Sequence, residues 1–186
     1  MVRAIERGDR VFLRHPDASD EHAFIEAVRS SRDLHHPWTH LPDTRRGFAA
    51  MLQRLEHPSE EGYLVCRNED GALAGLANLG QIFLGDFRSA YLGYSAFAPH
   101  QGQGFMREGL TLVLRRAFGP IGLHRVEANV QPDNARSIAL AESLGFRREG
   151  YSPKYLKIGG RWRDHVRFAI LAEEFLAAQA GRPRRR

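Results

Sequence analysis

The stretch Tyr94-Ser95-Ala96-Phe97-Ala98-Pro99-His100-Gln101-Gly102-Gln103-Gly104-Phe105-Met106 runs from a strand end, through a loop bracketed by glycines, into a helix. Ala90 to Phe97 is rich in strand formers and is stopped by Pro99. Phe105 to Phe118 carries Met106, Leu110, Val113, Leu114 and Ala117 at helical spacing. Gly102 and Gly104 therefore feed a helix N-terminus, where unpaired N–H groups and the positive end of the helix dipole attract anions. A residue without a Cβ lets a phosphate come within reach of the backbone. There is no Gly-Lys-Ser/Thr and no Gly-x-Gly-x-x-Gly, so the loop is neither a Walker A nor a dinucleotide fingerprint. A Gly-x-Gly alone is weak support for phosphate binding.

Working outward, Val11 to Leu13 reads as a first strand, and Asp20 as the N-cap of a helix bearing Phe24, Ala27 and Val28. Leu34 to Leu41 reads as an irregular loop. Asp43 or Thr44 starts a second helix with Phe48, Met51, Leu52 and Leu55 on one stripe. Tyr63–Arg67 and Leu73–Leu79 flank Asn68-Glu69-Asp70-Gly71, a hairpin signal. Arg125 to Gln131 alternates, with Val126, Ala128 and Val130 on one face and Arg125, Glu127 and Asn129 on the other. A helix from Asn134 to Leu144 ends at Gly145, and Val166 to Leu171 closes the sheet. This order implies an α/β (α+β mixed) fold, a mixed sheet with helices packed on it, in one domain spanning residues 1–180.

Composition narrows the function classes. The last six residues, Gly181–Arg186, hold four arginines, which account for four of the five net positive charges. The body is thus near neutral, and residues 181–186 read as a disordered Arg-rich tail, open at most to weak RNA or ribosome contact. No apolar run approaches the length of a membrane span, so no membrane partner is expected. The N-terminus lacks the apolar core of a secretory signal, and Cys66 is the sole cysteine, as suits a reducing cytoplasm. Nine histidines show no metal-ligand spacing, so no metal is expected.

Two blocks give the glycine loop a context. Tyr94 to Met106 resembles the signature of the Gcn5-related N-acetyltransferases (GNAT), a strand followed by Gln/Arg-x-x-Gly-x-Gly/Ala. Val126 to Ser137, followed by Leu144-Gly145-Phe146, is similar to that family's next block. Within the family, Asn134-Ala135-Arg136-Ser137, Leu144 to Tyr151, Gly160 to His165 and Leu34 to Trp38 resemble the ribosomal-protein alanine N-acetyltransferase (RimJ/RimL-type) branch. The resemblance covers nearly all of the chain apart from the tail. It implies a mixed, mostly antiparallel sheet splayed to admit acetyl-CoA, with helices on both faces.

The resemblance also implies roles. The pantetheine arm of acetyl-CoA would lie along Tyr94, Ala96 and Phe97 as an added strand. The loop Gln101, Gly102, Gln103, Gly104, Phe105 and Met106 would hold the pyrophosphate through its backbone. Asn134 would touch the cofactor, cap its helix, or do both. Ser137 matches a position implicated as acid toward the leaving thiol, and is equally placed to bond the first turn of its helix. Glu127 is the candidate base, against the plainer role of a solvated strand carboxylate. Lys154 stands near where some relatives carry an acidic residue. Trp38, Trp162 and Asp164 are candidates for the acceptor pocket, each with a packing or loop-holding alternative. Cys66 reads as core, so transfer would be direct, within a ternary complex and by a monomer or homodimer.

Acetyl transfer to a protein N-terminus, transfer to a small amine such as an antibiotic, polyamine or amino acid, and non-catalytic CoA or RNA binding all keep the loop. An α-amine titrates near 7.7–8.0, so roughly a fifth is neutral near pH 7.2; a lysine amine is neutral to about one part in a thousand. The first therefore demands far less of a base. Deleting residues 181–186 is expected to leave the Michaelis constant for acetyl-CoA unchanged in a thiol-release assay; a large rise would assign the tail to phosphate binding.

Overall fold

The computed structural model describes residues 4–181. The expected Arg-rich tail therefore lies, apart from Gly181, outside the described residues. The strands are β1 (Glu6–Arg7), β2 (Val11–Arg14), β3 (Glu61–Arg67), β4 (Leu73–Phe83), β5 (Ser89–Ala96), β6 (Arg125–Val130), β7 (Arg147–Ile158) and β8 (Arg161–Leu171). The helices are α1 (Glu21–Ser30), α2 (Arg32–His35), α3 (Arg45–Leu55), α4 (Phe105–Phe118), α5 (Ala135–Ser143) and α6 (Ala172–Ala180). The strands form one sheet ordered β1-β2-β3-β4-β5-β6-β8-β7. Every pairing is antiparallel except β5 with β6.

Alternation along the strands divides the interior between two cores. Tyr63 and Val65 of β3 face the α4 and α5 side, where they join Leu110, Val113, Leu114, Val126, Ala128, Val130 and Phe168. Leu64 and Cys66 face the other way, onto Phe24, Phe48, Met51 and Phe97 with α1 and α3. Helices thus cover both faces, as the sequence implies. Full burial of each large apolar side chain contributes about 1.5–3 kcal/mol, so the faces fix the register strongly. Cys66 is fully buried, and desolvation pushes its thiol above the ordinary value, which keeps it protonated.

Several local expectations change. Asp20 does not cap α1: its carboxylate forks onto Arg14 at 2.5 and 2.6 Å, and Asp17 caps the preceding 3-10 turn instead. Thr44 does cap α3, accepting from the Gly47 N–H at 3.2 Å. The Leu34–Leu41 loop overlaps the end of α2. The larger difference lies at the C-terminal end. Val166–Leu171 is only the second half of β8, and β7 supplies the sheet edge. Strand β7 escapes pattern reading because most of it is exposed, and a bulge between Ser152 and Leu156 breaks its alternation.

Strands β4 and β5 approach closely over α4 at Gly75, where an added Cβ would lie 2.6 Å from the Ser95 carbonyl oxygen and 2.2 Å from Met106 Sδ. The Ser95 oxygen is backbone, so moving the Met106 side chain alone does not relieve the clash. Gly75→Ala is expected to destabilise the fold by about 1–3 kcal/mol; an unchanged denaturation midpoint in urea would show that β4 and β5 separate freely.

Candidate functional site

The pairing of β5 with β6 stops early. Ser89, Ala90 and Tyr91 face Arg125, Val126 and Glu127, and no later residues pair. On its other side β5 stays bonded to β4 as far as Ala96 opposite Gly75. β6 continues to Val130, paired with β8. The two strands therefore part beyond Tyr91 and Glu127, leaving Leu92 to Ala96 with one backbone edge facing the gap. An extended chain can pair with such an edge.

Side chains and loops hold the gap open. On the β5 side, His35 Nε2 lies 2.8 Å from the Ala96 carbonyl oxygen, and the Ala98 N–H donates to Ser31 Oγ at 2.9 Å. On the β6 side, Gln131 Nε2 donates to the Trp38 carbonyl at 2.9 Å. One bridge crosses between the two sides. Tyr94 reaches from β5 to the first turn of α5, where its hydroxyl donates to the Ser137 carbonyl at 3.1 Å and accepts from Ser137 Oγ at 2.9 Å. Burial raises the Tyr94 phenol above its ordinary value, so it stays protonated at neutral pH.

At one end of this gap is the glycine loop. Gly102 and Gly104 have φ of 75° and 83°, in the left-handed region that costs other residues about 1–2 kcal/mol. The backbone N–H groups of Gln101 through Arg107 find no backbone acceptor among the described residues. Arg10 secures the loop from β2's side by donating to the Gln103 carbonyl at 2.9 Å and lying over the Phe105 ring at 4.2 Å. Gln103 Nε2 closes it onto the Pro99 carbonyl at 3.1 Å. Phe105 and Met106 are buried, so their side chains anchor the helix while the loop offers backbone donors. Counted back from Gly104, the signature's leading Gln/Arg falls on Gln101, and its last Gly/Ala position is occupied by Met106. A strand edge and a run of free N–H groups in sequence match the amide-bearing arm and pyrophosphate of CoA.

The remaining candidates divide. Asn134 caps α5, its Oδ1 accepting from the Ser137 N–H at 3.1 Å, which aims Ser137 toward Tyr94. Ala96 presents its backbone at the gap, whereas the Phe97 ring is buried among α1 and α3 residues. Glu127 stands at the last β5–β6 pair, but its carboxylate is engaged by Arg125 Nε at 2.9 Å. Hydrogen bonds to Glu149, then to Glu127, hold the Arg125 guanidinium firmly protonated. Asp164 is committed to the β7 bulge, accepting from the Tyr151 hydroxyl and from the Lys154 N–H at 2.7 Å. Those bonds, led by the Lys154 N–H, hold its carboxyl below the usual range. Trp162 is 60% exposed on β8, and Trp38 meets Gln131 through its carbonyl. Among the described residues no group of three or more His, Cys, Asp or Glu is placed to hold a metal ion. Nor is any described helix long and apolar enough to cross a membrane.

Sequence reading misses the roles of His35, Ser31, Gln131 and the Tyr94 hydroxyl. His35 and Ser31 join loop to strand across more than sixty residues, and nothing local marks them. The Tyr94–Ser137 bond has a weak signal, since both residues sit in motif blocks.

Comparison with known proteins follows the same lines. Residues 10–147 match the acetyltransferase (GNAT) domain family. The chain is 31% identical over 175 residues to the [ribosomal protein uS5]-alanine N-acetyltransferase of Escherichia coli, covering 90% of each. It is 28% identical over 176 residues to a spermidine N(1)-acetyltransferase of Vibrio cholerae, covering 94% of each. Among solved structures, Mycobacterium smegmatis RimJ in complex with CoA-disulfide superposes with a TM-score of 0.80 at 27% identity, over 91% of this chain and 89% of that one.

His35 and His165 supply a pH dependence. Burial is the leading cause that lowers both below the ordinary 6.5. Between the folded and unfolded values the unfolded chain binds more protons, so stability is complete above 6.5 and declines as pH falls. The melting temperature is expected to drop between pH 7 and pH 5, and to drop less in His35→Gln, which keeps a donor for Ala96. An identical pH slope in the variant would remove His35 from this account.

Proposed function

The chain belongs to the GNAT acetyltransferase family and transfers acetyl groups from acetyl-CoA to an amine, and we propose that its acceptor is the α-amino group of a protein N-terminus, a ribosomal protein being the leading case. The observation that carries the acceptor is the commitment of the carboxylates around the gap. Glu127 is tied to Arg125, Glu149 to Arg125 and Arg147, and Asp164 to Tyr151 and Lys154. A site with its carboxylates so engaged offers little general-base strength. It suits an amine already neutral in part at physiological pH, as an α-amine is and a lysine-type amine is not. The likeness to the uS5-alanine enzyme supports the same choice.

Bound acetyl-CoA supplies the thioester carbonyl and a thiolate leaving group. Residues of this chain act around it. The N–H groups of Gln101 to Met106 would receive the pyrophosphate, and the edge from Tyr94 to the Ala96 N–H would receive the pantetheine amides, the Ala96 carbonyl meeting His35 and the Phe97 N–H meeting Ala74. Ser137 Oγ, oriented by Asn134 below and Tyr94 across the gap, would pass a proton to the departing sulfur and regain one from the attacking amine, directly or through water, so that the amine's proton ends on the thiol. Glu127, fixed by Arg125, orients the amine or a water beside it. Trp38 would border the acceptor, whereas Trp162 lies out of phase with Arg161, Arg163 and Arg167 and so on the opposite face of β8; the reaction is direct, with Cys66 taking no part. We place this single unit, residues 1–180, in the cytoplasm, which its lone buried thiol supports.

A second reading, transfer to a small polyamine, draws on the relatives named for spermidine. Thiol release from acetyl-CoA with an alanine N-terminal peptide and with spermidine separates the two. We expect kcat/KM roughly a hundredfold higher for the peptide, the scale of the difference in neutral amine. Equal or faster turnover of spermidine would refute the protein acceptor. Ser137→Ala should lower kcat about a hundredfold with the acetyl-CoA KM unchanged, whereas Glu127→Gln should cost less than about tenfold.

A further inference from the structure

Between Arg147 and Arg167 the chain carries seven of its 27 cationic side chains and only two of its 22 carboxylates. Both carboxylates are committed, Glu149 to Arg125 and Arg147, and Asp164 to the bulge of β7. Arg148, Lys154, Lys157, Arg161, Arg163 and Arg167 form no ion pair with the described residues. Their placement follows from register. Arg167 pairs with Asn129 and Ala169 with Glu127, so Arg167 shares a sheet face with both side chains at the gap. The buried His165, then Arg163 and Arg161, follow on that face at two-residue steps. Gly150, opposite Arg167, leaves room for the guanidinium: an added Cβ there would lie 3.1 Å from Arg167 Nη2. Two buried polar atoms on this face lack partners, Arg163 Nε and Asn129 Oδ1. The amide of Asn129 is held from its other end by Tyr155, at 3.3 Å.

We infer that Arg161, Arg163 and Arg167 form an acceptor track that selects peptides with carboxylates after the N-terminal amine and rejects polycations, an inference that rests on the protein acceptor proposed above. The orphaned Asn129 oxygen accepts from the amine beside Glu127. The chain behind the amine then runs along β8, away from the gap. Arg167 to Arg161 spans about 20 Å, the reach of roughly six extended residues, so carboxylates within that distance meet guanidinium groups. A spermidine molecule on the same track would bring its second and third charges against unpaired arginines. Nucleic acid also seeks such a surface, but a row on one face, leading from the amine position, fits a peptide substrate more closely.

The test compares acetylation of two peptides with the same N-terminal alanine, one with three glutamates among residues 2–6 and one with three lysines there. Wild type should favour the acidic peptide at least tenfold in kcat/KM, chiefly through KM and more strongly at low salt. Arg161→Gln/Arg163→Gln/Arg167→Gln should bring the ratio near one, and the matching lysine substitutions should retain most of the preference. Since Arg163 is half-buried, Arg161→Gln/Arg167→Gln, which changes exposed residues alone, gives the same reading if the triple variant melts early. Equal rates on the two peptides, or a ratio unmoved by either variant, overturn the track while leaving the protein acceptor standing. Failure of both peptides with good turnover of spermidine overturns both. Inhibition by a single-stranded RNA oligonucleotide at concentrations well below the acidic peptide's KM would assign the face to nucleic acid instead.

Discussion

The structure depends on a pairing that is not made. A sheet gains by satisfying each strand's backbone donors and acceptors, and burying them unpaired is costly. Here β5 and β6 bond only at Ser89–Tyr91 and Arg125–Glu127, then part while their outer neighbours stay in register. The cost of that opening is offset on both sides. Val126, Ala128 and Val130 hold β6 down onto α4 and α5, while Phe97 anchors the other strand's end under α1 and α3. The opening is thus a rigid feature with cores on either side, able to receive a ligand without first being pulled apart.

What borders the opening follows from chain direction. The β5–β6 pair is parallel, so a helix must cross between the strands, and α4 begins where β5 ends. Its N-terminus and free strand edge are therefore neighbours by topology. The same holds for α5, which starts at the end of β6 and brings Asn134 and Ser137 to the opposite rim. Tyr94 is long enough to reach across, so one phenol ties the two rims where the backbones cannot meet.

These relations explain which parts were legible in the sequence. The glycine loop, the helices on either side of it and the alternating strand Arg125–Val130 depend on local chemistry, and each was readable from residue types. The cap of α5 was readable only as Asp133 or Asn134, and the structure gives it to Asn134, whose donor lies three residues away. The exposed strand β7 was not readable, because a surface edge strand carries no apolar alternation and its bulge shifts the phase. Nor was the engagement of Glu127 readable: from the strand pattern alone it is a free carboxylate. Arg125 lies two positions away on the same face, and Glu149 arrives from a strand whose existence the pattern did not disclose. The cap expected at Asp20 failed for a similar reason, since Arg14 offers two charged hydrogen bonds in place of a backbone amide.

Donor and acceptor are consequently recognised by different means. The donor side would be read by backbone: a strand edge and a row of N–H groups whose positions are set by the fold and by two glycines. Substituting exposed side chains there would change little of that geometry. On the reading proposed above, the acceptor side would be read by side chains on β6, β8 and the Trp38 loop. A fold of this kind can retain one cosubstrate while its acceptors diverge, as the relatives named for a ribosomal protein and for spermidine have done. In this chain the β8 face carries arginines that form no ion pair with the described residues, and its carboxylates are engaged. On that proposal, charge at the acceptor face, more than any feature of the glycine loop, would separate an N-terminal amine from a polyamine.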